Sequence, residues 1–581
     1  MLNRRLALVL MGSSMLVAPG LAQTGEDAKF AALARRWLET YLNNQPVTAT
    51  QIGDHRFDTL IDDMSPQRRG VRVAAWKGFL AELAKLDRSK LSRDNQVDAA
   101  ILESQLRYQV WDDERLQSWA WDALVWSSLA GNALYLLVAR DFAPMAVRLR
   151  SATQRMRALP TLLKQMRESM VVARVPKIHA TTVAKQNSGI MDIVDSMILP
   201  NAKVLGLRER SALEGAAADL RKAVAEHQAW LDKVLVPGAK GDFRIGAKLF
   251  DEKLVFTLNS NLSRKDIRAR ADKAIHDTRA QMYAIAKKAV KANTPEAPDA
   301  ATQQKVIQQA LDICYADRPA RDAVVATAKS LLARATDFVR SKDIITLPDA
   351  PVDIIIMPKF QQGVAAAYCD PPGPLEKHLK TFYAVSPIPD GWSKAQSDSF
   401  LKEYNNRGLA DITVHEAMPG HYVQLWHSNK CPSMVRAVLG SGSFVEGWAV
   451  YAENVMADAG FYDADPLYKL AQLKVYLRTI SNAILDQAIH CDGMSQGDAM
   501  KLMTETAFQE EREASGKWDR ARLSATQLST YFVGRQEHDG LRARAEKKGG
   551  FNLKAYHDQV LSYGSPPARY AGALMFGDPI T

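Results

Sequence analysis

A chain of 581 residues, 47% apolar and 24% charged, has the composition of a globular protein, which excludes a disordered or collagen-like one. It is long enough for one large domain or several. The net charge of +10 is spread among residues of both signs, with no long basic block and no basic stretch interleaved with aromatics, so nucleic acid is not an expected partner.

Arg4 and Arg5 precede an apolar run from Leu6 to Leu21 that ends in Gly20-Leu21-Ala22. A basic start, an apolar centre and small residues at the end make a signal peptide, with cleavage expected after Ala22. Gly12, Ser13, Ser14 and Pro19 interrupt the run and argue against a membrane anchor. No cysteine follows it, so a lipid-anchored form is not expected. Residues 23–581 are read as one exported unit, periplasmic or secreted, with no stable membrane insertion. Cys314, Cys369, Cys431 and Cys491 form no C-x-x-C pair. Export permits disulfides in any of three pairings, and buried free thiols fit equally well.

Phe30, Leu33, Ala34, Trp37, Leu38 and Tyr41 recur at helical spacing. Asp54, His55, Asp58, Asp62 and Asp63 then cluster in a polar passage. Their spacing fits no metal-binding loop, and a structured turn packed on the core is expected. From Arg69 to Leu235 the pattern is helical, with breaks expected at Pro144, Pro160, Pro176 and Pro200. Trp111, Trp119, Trp121 and Trp126 are read as packing between helices. Helices are expected over Ala216–Val234, Ile267–Val290 and Gln303–Arg340. Four short β-prone runs follow: Ile344–Pro348, Val352–Pro358, Gly363–Tyr368 and Thr381–Val385. They predict a small antiparallel sheet at about 343–385. Helix returns from Ser393 to Arg407, with Gly408 as its stop, and continues to about Lys547 before a loop-rich end. The class is mainly α.

The chemistry concentrates at about 411–456. His415-Glu416-Ala417-Met418-Pro419-Gly420-His421 puts two imidazoles and a carboxylate in seven residues. Neutral imidazole is the commonest zinc ligand, and a Glu beside the first His is placed to act on a metal-bound water. In H-E-x-x-H the histidines share a face one turn apart; here the second stands at i+6, where an unbroken helix would turn it away. Pro419 lacks an N–H and Gly420 tolerates unusual backbone angles. A broken turn at Met418–Gly420, with the helix resuming near His421, is therefore predicted.

Two histidines leave one zinc ion wanting a further protein ligand. Glu446 is the best candidate, although Ser443 and Glu446 also fit a capping box. Glu453, two turns on, would orient a ligand or be a solvated acid. Glu416 is the expected general base. Tyr531 and His557 are candidates to stabilise an oxyanion, with structural roles as the plainer alternative.

The H-E-A-x-P-G-H string resembles the signature of the bacterial domain-of-unknown-function 885 family. The family resembles helical gluzincin metallopeptidases, and Phe444-Val445-Glu446 with Glu453 is similar to the segment carrying the glutamate ligand in the thimet-oligopeptidase group. Pro46, Ala49, Thr50, Gly53 and His55 resemble the family's N-terminal segment. Tyr531, Gly534, Leu541-Arg542, His557-Asp558, Leu561, Gly564-Ser565 and Pro567 resemble its C-terminal one. The resemblance implies a large multi-helix zincin-like fold with the sheet beside the metal helix, an internal cleft, and a substrate lying along an edge strand, for which Gly363–Tyr368 is the choice. Two departures stand out: Tyr422 where the family often has a second His, and Arg520-Ala521 followed by Ala525-Thr526-Gln527 where it shows Arg-Tyr and Pro-Gly-Gln.

The expected function is an exported zinc metallopeptidase acting on short peptides. One alternative is a non-catalytic helical binding protein with a structural or vestigial zinc site. Another is a hydrolase using Glu446 and Glu453 as paired carboxylates, which leaves the histidines unexplained.

Overall fold

Helices dominate because apolar residues recur at three- and four-residue spacing along most of the chain. The computed structural model describes residues 25–350, 352–357, 367–376 and 379–580. The expected leader and Gly363–Ala366 lie outside them. The first helix, Gly25–Asn44, buries Phe30, Leu33, Trp37, Leu38 and Tyr41, as their spacing predicts. Pro160 does not break its helix, which runs from Met145 to Ser169. The buried face around it, Met156, Leu159, Leu162 and Leu163, outweighs the lost backbone bond. The stretch expected as one helix over Gln303–Arg340 is two, Ala300–Ala316 and Val324–Ser341, parted at Arg318-Pro319. The loop-rich end expected after Lys547 has loops at Gly549-Gly550 and at Ser565-Pro566-Pro567, but carries two further helices between and after them, Leu553–Ser562 and Ala568–Phe576. Among the described residues no helix is long and apolar enough to cross a membrane.

The sheet has three strands, β1 (Asp353–Ile356), β2 (Ala367–Asp370) and β3 (Phe382–Val385), in the order β1-β3-β2. β2 pairs antiparallel with β3, but β1 pairs parallel with it, Asp353 opposite Phe382. The expected antiparallel sheet is thus mixed, because β3 enters between the first two strands. Ile344–Leu347 adds no strand. Side chains take its backbone groups instead: His557 Nδ1 bonds the Ile344 carbonyl, His427 Nε2 the Thr346 carbonyl, and the Thr346 N–H donates to Asp558.

Six helices frame the site: α1 (Asn406–Glu416), α2 (His421–Ser428), α3 (Gly442–Asp458), α4 (Pro466–Cys491), α5 (Glu511–Leu523) and α6 (Ser529–Lys547). Asn405 caps α1, accepting the Arg407 and Gly408 N–H groups, so Gly408 lies inside a helix and does not stop the preceding one. α4 is buried on every side from Thr479 to His490 and forms the central post. The cores of α1 to α3 and the sheet merge through Val414, Val423, Phe444, Trp448 and Tyr383. α6 crosses α3 at two glycines. A Cβ on Gly447 would lie 2.2 Å from the backbone of Gly534, and one on Gly534 would lie 1.9 Å from the Ser443 carbonyl. Only glycine at both places lets the helices approach this closely.

Candidate metal centre

The site begins where α1 ends. The Ala417 and Met418 N–H groups both donate to the Thr413 carbonyl, at 3.0 and 3.1 Å, and Gly420 N–H reaches the Val414 carbonyl at 2.9 Å. The Met418–Pro419 peptide is cis. A Cβ on Gly420 would sit 1.9 Å from the His415 carbonyl, so the sharp return needs glycine. Trp448 on α3 donates its indole N–H to the Pro419 carbonyl at 3.0 Å. The broken turn predicted from Pro419-Gly420 is present, and α2 starts at His421 itself.

The turn brings the imidazoles of His415 and His421 to a centroid distance of 4.8 Å with their planes 87° apart. Both Nε2 atoms face one carboxylate oxygen, Glu446 Oε2, at 3.7 Å from His415 and 3.4 Å from His421. Among the described residues this is the one group of three such ligands, with donor atoms within 4.8 Å of one another. Ligands about 2.1 Å from a tetrahedral zinc stand roughly 3.4 Å apart, close to these spacings. The donor set, two imidazole nitrogens and a carboxylate, is that of an open zinc site. Glu446 is free for it because Ser441, not Ser443, caps α3, accepting the Phe444 N–H; the alternative capping box does not form.

The surroundings fix the tautomer of His415. Its Nδ1 lies 2.6 Å from Oε1 of Glu453, which is buried at 1% exposure and not a solvated acid. That bond leaves Nε2 for the focus. Burial opposes charge on His415, but hydrogen bonds to Glu446 and Glu453 outweigh it and raise its pKa well above the ordinary value. Burial likewise opposes charge on Glu446, yet the two histidines hold its carboxyl far below the usual range. Two carboxylates thus grip one imidazole from opposite sides and are not presented as a catalytic pair.

Glu416, the last residue of α1, accepts the Cys369 N–H from β2 at 2.9 Å. It lines the same cavity as His415 and Tyr531. Tyr531 reaches this cavity from α6, and its hydroxyl accepts from Arg520 at 2.9 Å and Gln527 at 3.3 Å. Burial, followed by the charge of Glu446, pushes the Tyr531 phenol up to about 12. His557 does not come to the site. Its Nδ1 donates to the Ile344 carbonyl at 2.8 Å and its Nε2 accepts from Tyr451 at 2.9 Å. Its ring packs on Trp448 and Tyr451, on the face of α3 turned away from Glu446. Tyr422 also points away, its hydroxyl bonding the Ala350 carbonyl. The four cysteines are free thiols.

Sequence reasoning missed other residues at the site. Asp411 stands one turn before His415; burial, with the charge of Glu453 adding to it, raises its pKa well above the carboxylate range. Its position at i−4 from the first histidine was the one available clue. Arg478 from α4 and Arg512, Lys517 and Arg520 from α5 line the same cavity as His415 and Glu416.

Known proteins give the chain relatives but no function. The family model described as "Bacterial protein of unknown function (DUF885)" matches residues 46–575. A solved structure from Shewanella oneidensis, described as a lipoprotein of unknown function, is 31% identical. It covers 94% of this chain and 99% of its own, at a TM-score of 0.78. A crystal structure of a protein from Colwellia psychrerythraea, also described as a lipoprotein, shares the fold. The TM-score is 0.79 at 16% identity, covering 96% of this chain and 100% of that one. Comparison with curated proteins finds no match. With the family model spanning nearly the whole chain, the protein belongs to the DUF885 family of bacterial proteins of unknown function.

Proposed function

We propose that this protein is an exported, zinc-dependent metallopeptidase that hydrolyses short peptides. The observation that carries the reading is the common focus of His415, His421 and Glu446, with Glu416 lining the same cavity as His415. His415, His421 and Glu446 would hold the ion. When bound, zinc supplies a Lewis acid that polarises a carbonyl and acidifies water. Glu416 takes the proton on its carboxylate and returns it to the leaving amine. Glu453 keeps His415 in the tautomer that presents Nε2. Tyr531 offers its O–H to the developing oxyanion, with Arg520 holding the phenol in place. Among the described residues β2 is an edge strand, and its outer main-chain groups other than the Cys369 N–H, which Glu416 holds, can meet an extended peptide. Neighbours described as lipoproteins support export.

A second reading has its own observation. Glu416 accepts the Cys369 N–H, which gives it a job stitching α1 to β2 without catalysis. A non-catalytic binding protein with a structural zinc is consistent with that bond. Glu416→Gln separates the two, because its amide oxygen still accepts from Cys369 while its basicity is gone. The mature protein and this variant are assayed for bound zinc and for cleavage of a broad peptide library. The peptidase reading expects zinc retained in both and cleavage lost in the variant. Zinc-loaded wild type that cleaves nothing sinks it.

A further inference from the structure

The cavity continues past the metal ligands to a wall of positive charge. On α5, Glu513, Lys517 and Arg520 follow one another at i, i+4 and i+7, and so share a face. The acids at this end have cations of their own. Glu403 pairs with Lys474 at 2.7 Å, and Glu513 lies 3.6 Å from Arg478 and accepts from Tyr404 at 3.1 Å. Arg512, Lys517 and Arg520 are left over. None of the three makes an ion pair among the described residues. Arg512 lies over the Trp392 ring at 4.9 Å, and its buried Nε has no partner. Arg520 bonds only the neutral Gln527 and Tyr531.

Lys517 is the anomaly. It is 7% exposed, lines the cavity and makes no hydrogen bond among the described residues. Burial, then the charge of Arg520, lowers its pKa to about 7, although Glu513 pulls the other way. Burial and the neighbouring cations work against charge on this amine, and an anion entering the cavity beside it would reverse that.

We propose that Lys517, with Arg520 and Arg512, receives the free C-terminal carboxylate of a short peptide, which makes the cavity an exopeptidase subsite. The inference rests on the peptidase reading for the nature of the ligand. One turn of helix, roughly 5 Å, separates Lys517 from Arg520, which holds Tyr531 beside the metal ligands. Extended peptide advances about 3.5 Å per residue, so a carboxylate at Lys517 sets the scissile bond one or two residues from the end. The cavity, about 170 Å³, has room for the end group of a short peptide. A singly charged carboxylate also fits better than a phosphate, since Glu513 and Glu453 line the same space.

The test uses the zinc-supplemented, full mature Glu416→Gln protein, which binds without turnover. Calorimetry compares Ala-Ala-Ala as free acid, Ala-Ala-Ala amide, and Ala-Ala-Glu amide. The free acid is expected to bind about tenfold or more tightly than either amide. Adding Lys517→Met should bring acid and amide to within about twofold, while the melting temperature holds or rises because a buried cation has been removed. Equal binding of acid and amide, a preference that survives Lys517→Met, or tight binding of the Glu amide each overturns the proposal. So does a failure of all three peptides to bind. Wild-type cleavage is followed in parallel. Equal cleavage of acids and amides keeps the peptidase and removes this subsite, whereas acid-selective binding without any cleavage does the reverse.

Discussion

Among the described residues two histidines are each gripped by two carboxylates, and only one of them belongs to the candidate metal centre. His55 lies 2.9 Å from Asp58 through Nδ1 and 2.8 Å from Glu376 through Nε2, and its ring stacks on Phe142 at 3.6 Å. Both nitrogens are spent on acids. The charge is neutralised in place, and no lone pair is left to offer. His415 has the same number of acids, but one of them, Glu446, is shared with His421. The shared oxygen and the second imidazole turn an ion-pair latch into a focus for a cation. Composition around the two histidines is alike; what differs is whether a second nitrogen points at the same place.

The comparison breaks first at His421. His421→Ala should take the mature protein from about one bound zinc to none, since two ligands do not hold what three do. His55→Gln should leave the metal content untouched. Elemental analysis after dialysis reads both, and zinc lost equally from the two variants would erase the distinction. Next comes Tyr531→Phe, expected to lower kcat roughly 10²-fold with little change in KM, because the phenol is needed for charge that develops only in the transition state. An effect on KM alone would make Tyr531 a binding residue. Glu453→Gln is expected to weaken zinc 10- to 100-fold, roughly, by loosening the tautomer of His415. Competition against a chelator measures it.

These positions were not equally legible in the sequence. His415, Glu416 and His421 could be read because Pro419-Gly420 marked the break that an i+6 spacing needs. Glu446 could be proposed but not separated from a helix cap, since only the fold decides whether Ser441 or Ser443 is the N-cap. His557 resembles a site residue in its family string, yet it serves Ile344–Leu347, a β-prone run whose backbone bonds go to side chains. The direction of β1 was hidden because strand pairing depends on a connection through space, not on local pattern. The cations of α5 were invisible for a related reason. Lys517 and Arg520 look like the solvated face of a helix until α4 packs against it. The close crossing of α3 and α6 rests on Gly447 and Gly534, 87 residues apart and unremarkable singly.

The smallest expected effect sharpens the comparison from the other side. The His55 latch ties Gly53–Phe57 to the segment after β2. Leu375 N–H bonds the Ile52 carbonyl at 3.0 Å, and a Cβ on Gly373 would lie 2.3 Å from the Ile52 backbone. Burial opposes charge on His55, but its bonds to Asp58 and Glu376 outweigh it, and the pKa rises to about 9. An unfolded histidine titrates near 6.5. A folded-state pKa above the unfolded one means that the native protein holds the proton more tightly. Its stabilisation is therefore complete below about pH 6.5 and is lost as the pH climbs through about 9. His55→Gln should cost roughly 1–2 kcal/mol at pH 6, discounted for the ring's partial exposure, and little by pH 10. Denaturant midpoints of the two proteins across that range give the difference directly. A gap that widens with rising pH would mean that His55 sits neutral between its acids. The two constellations would then differ in charge state as well as in geometry.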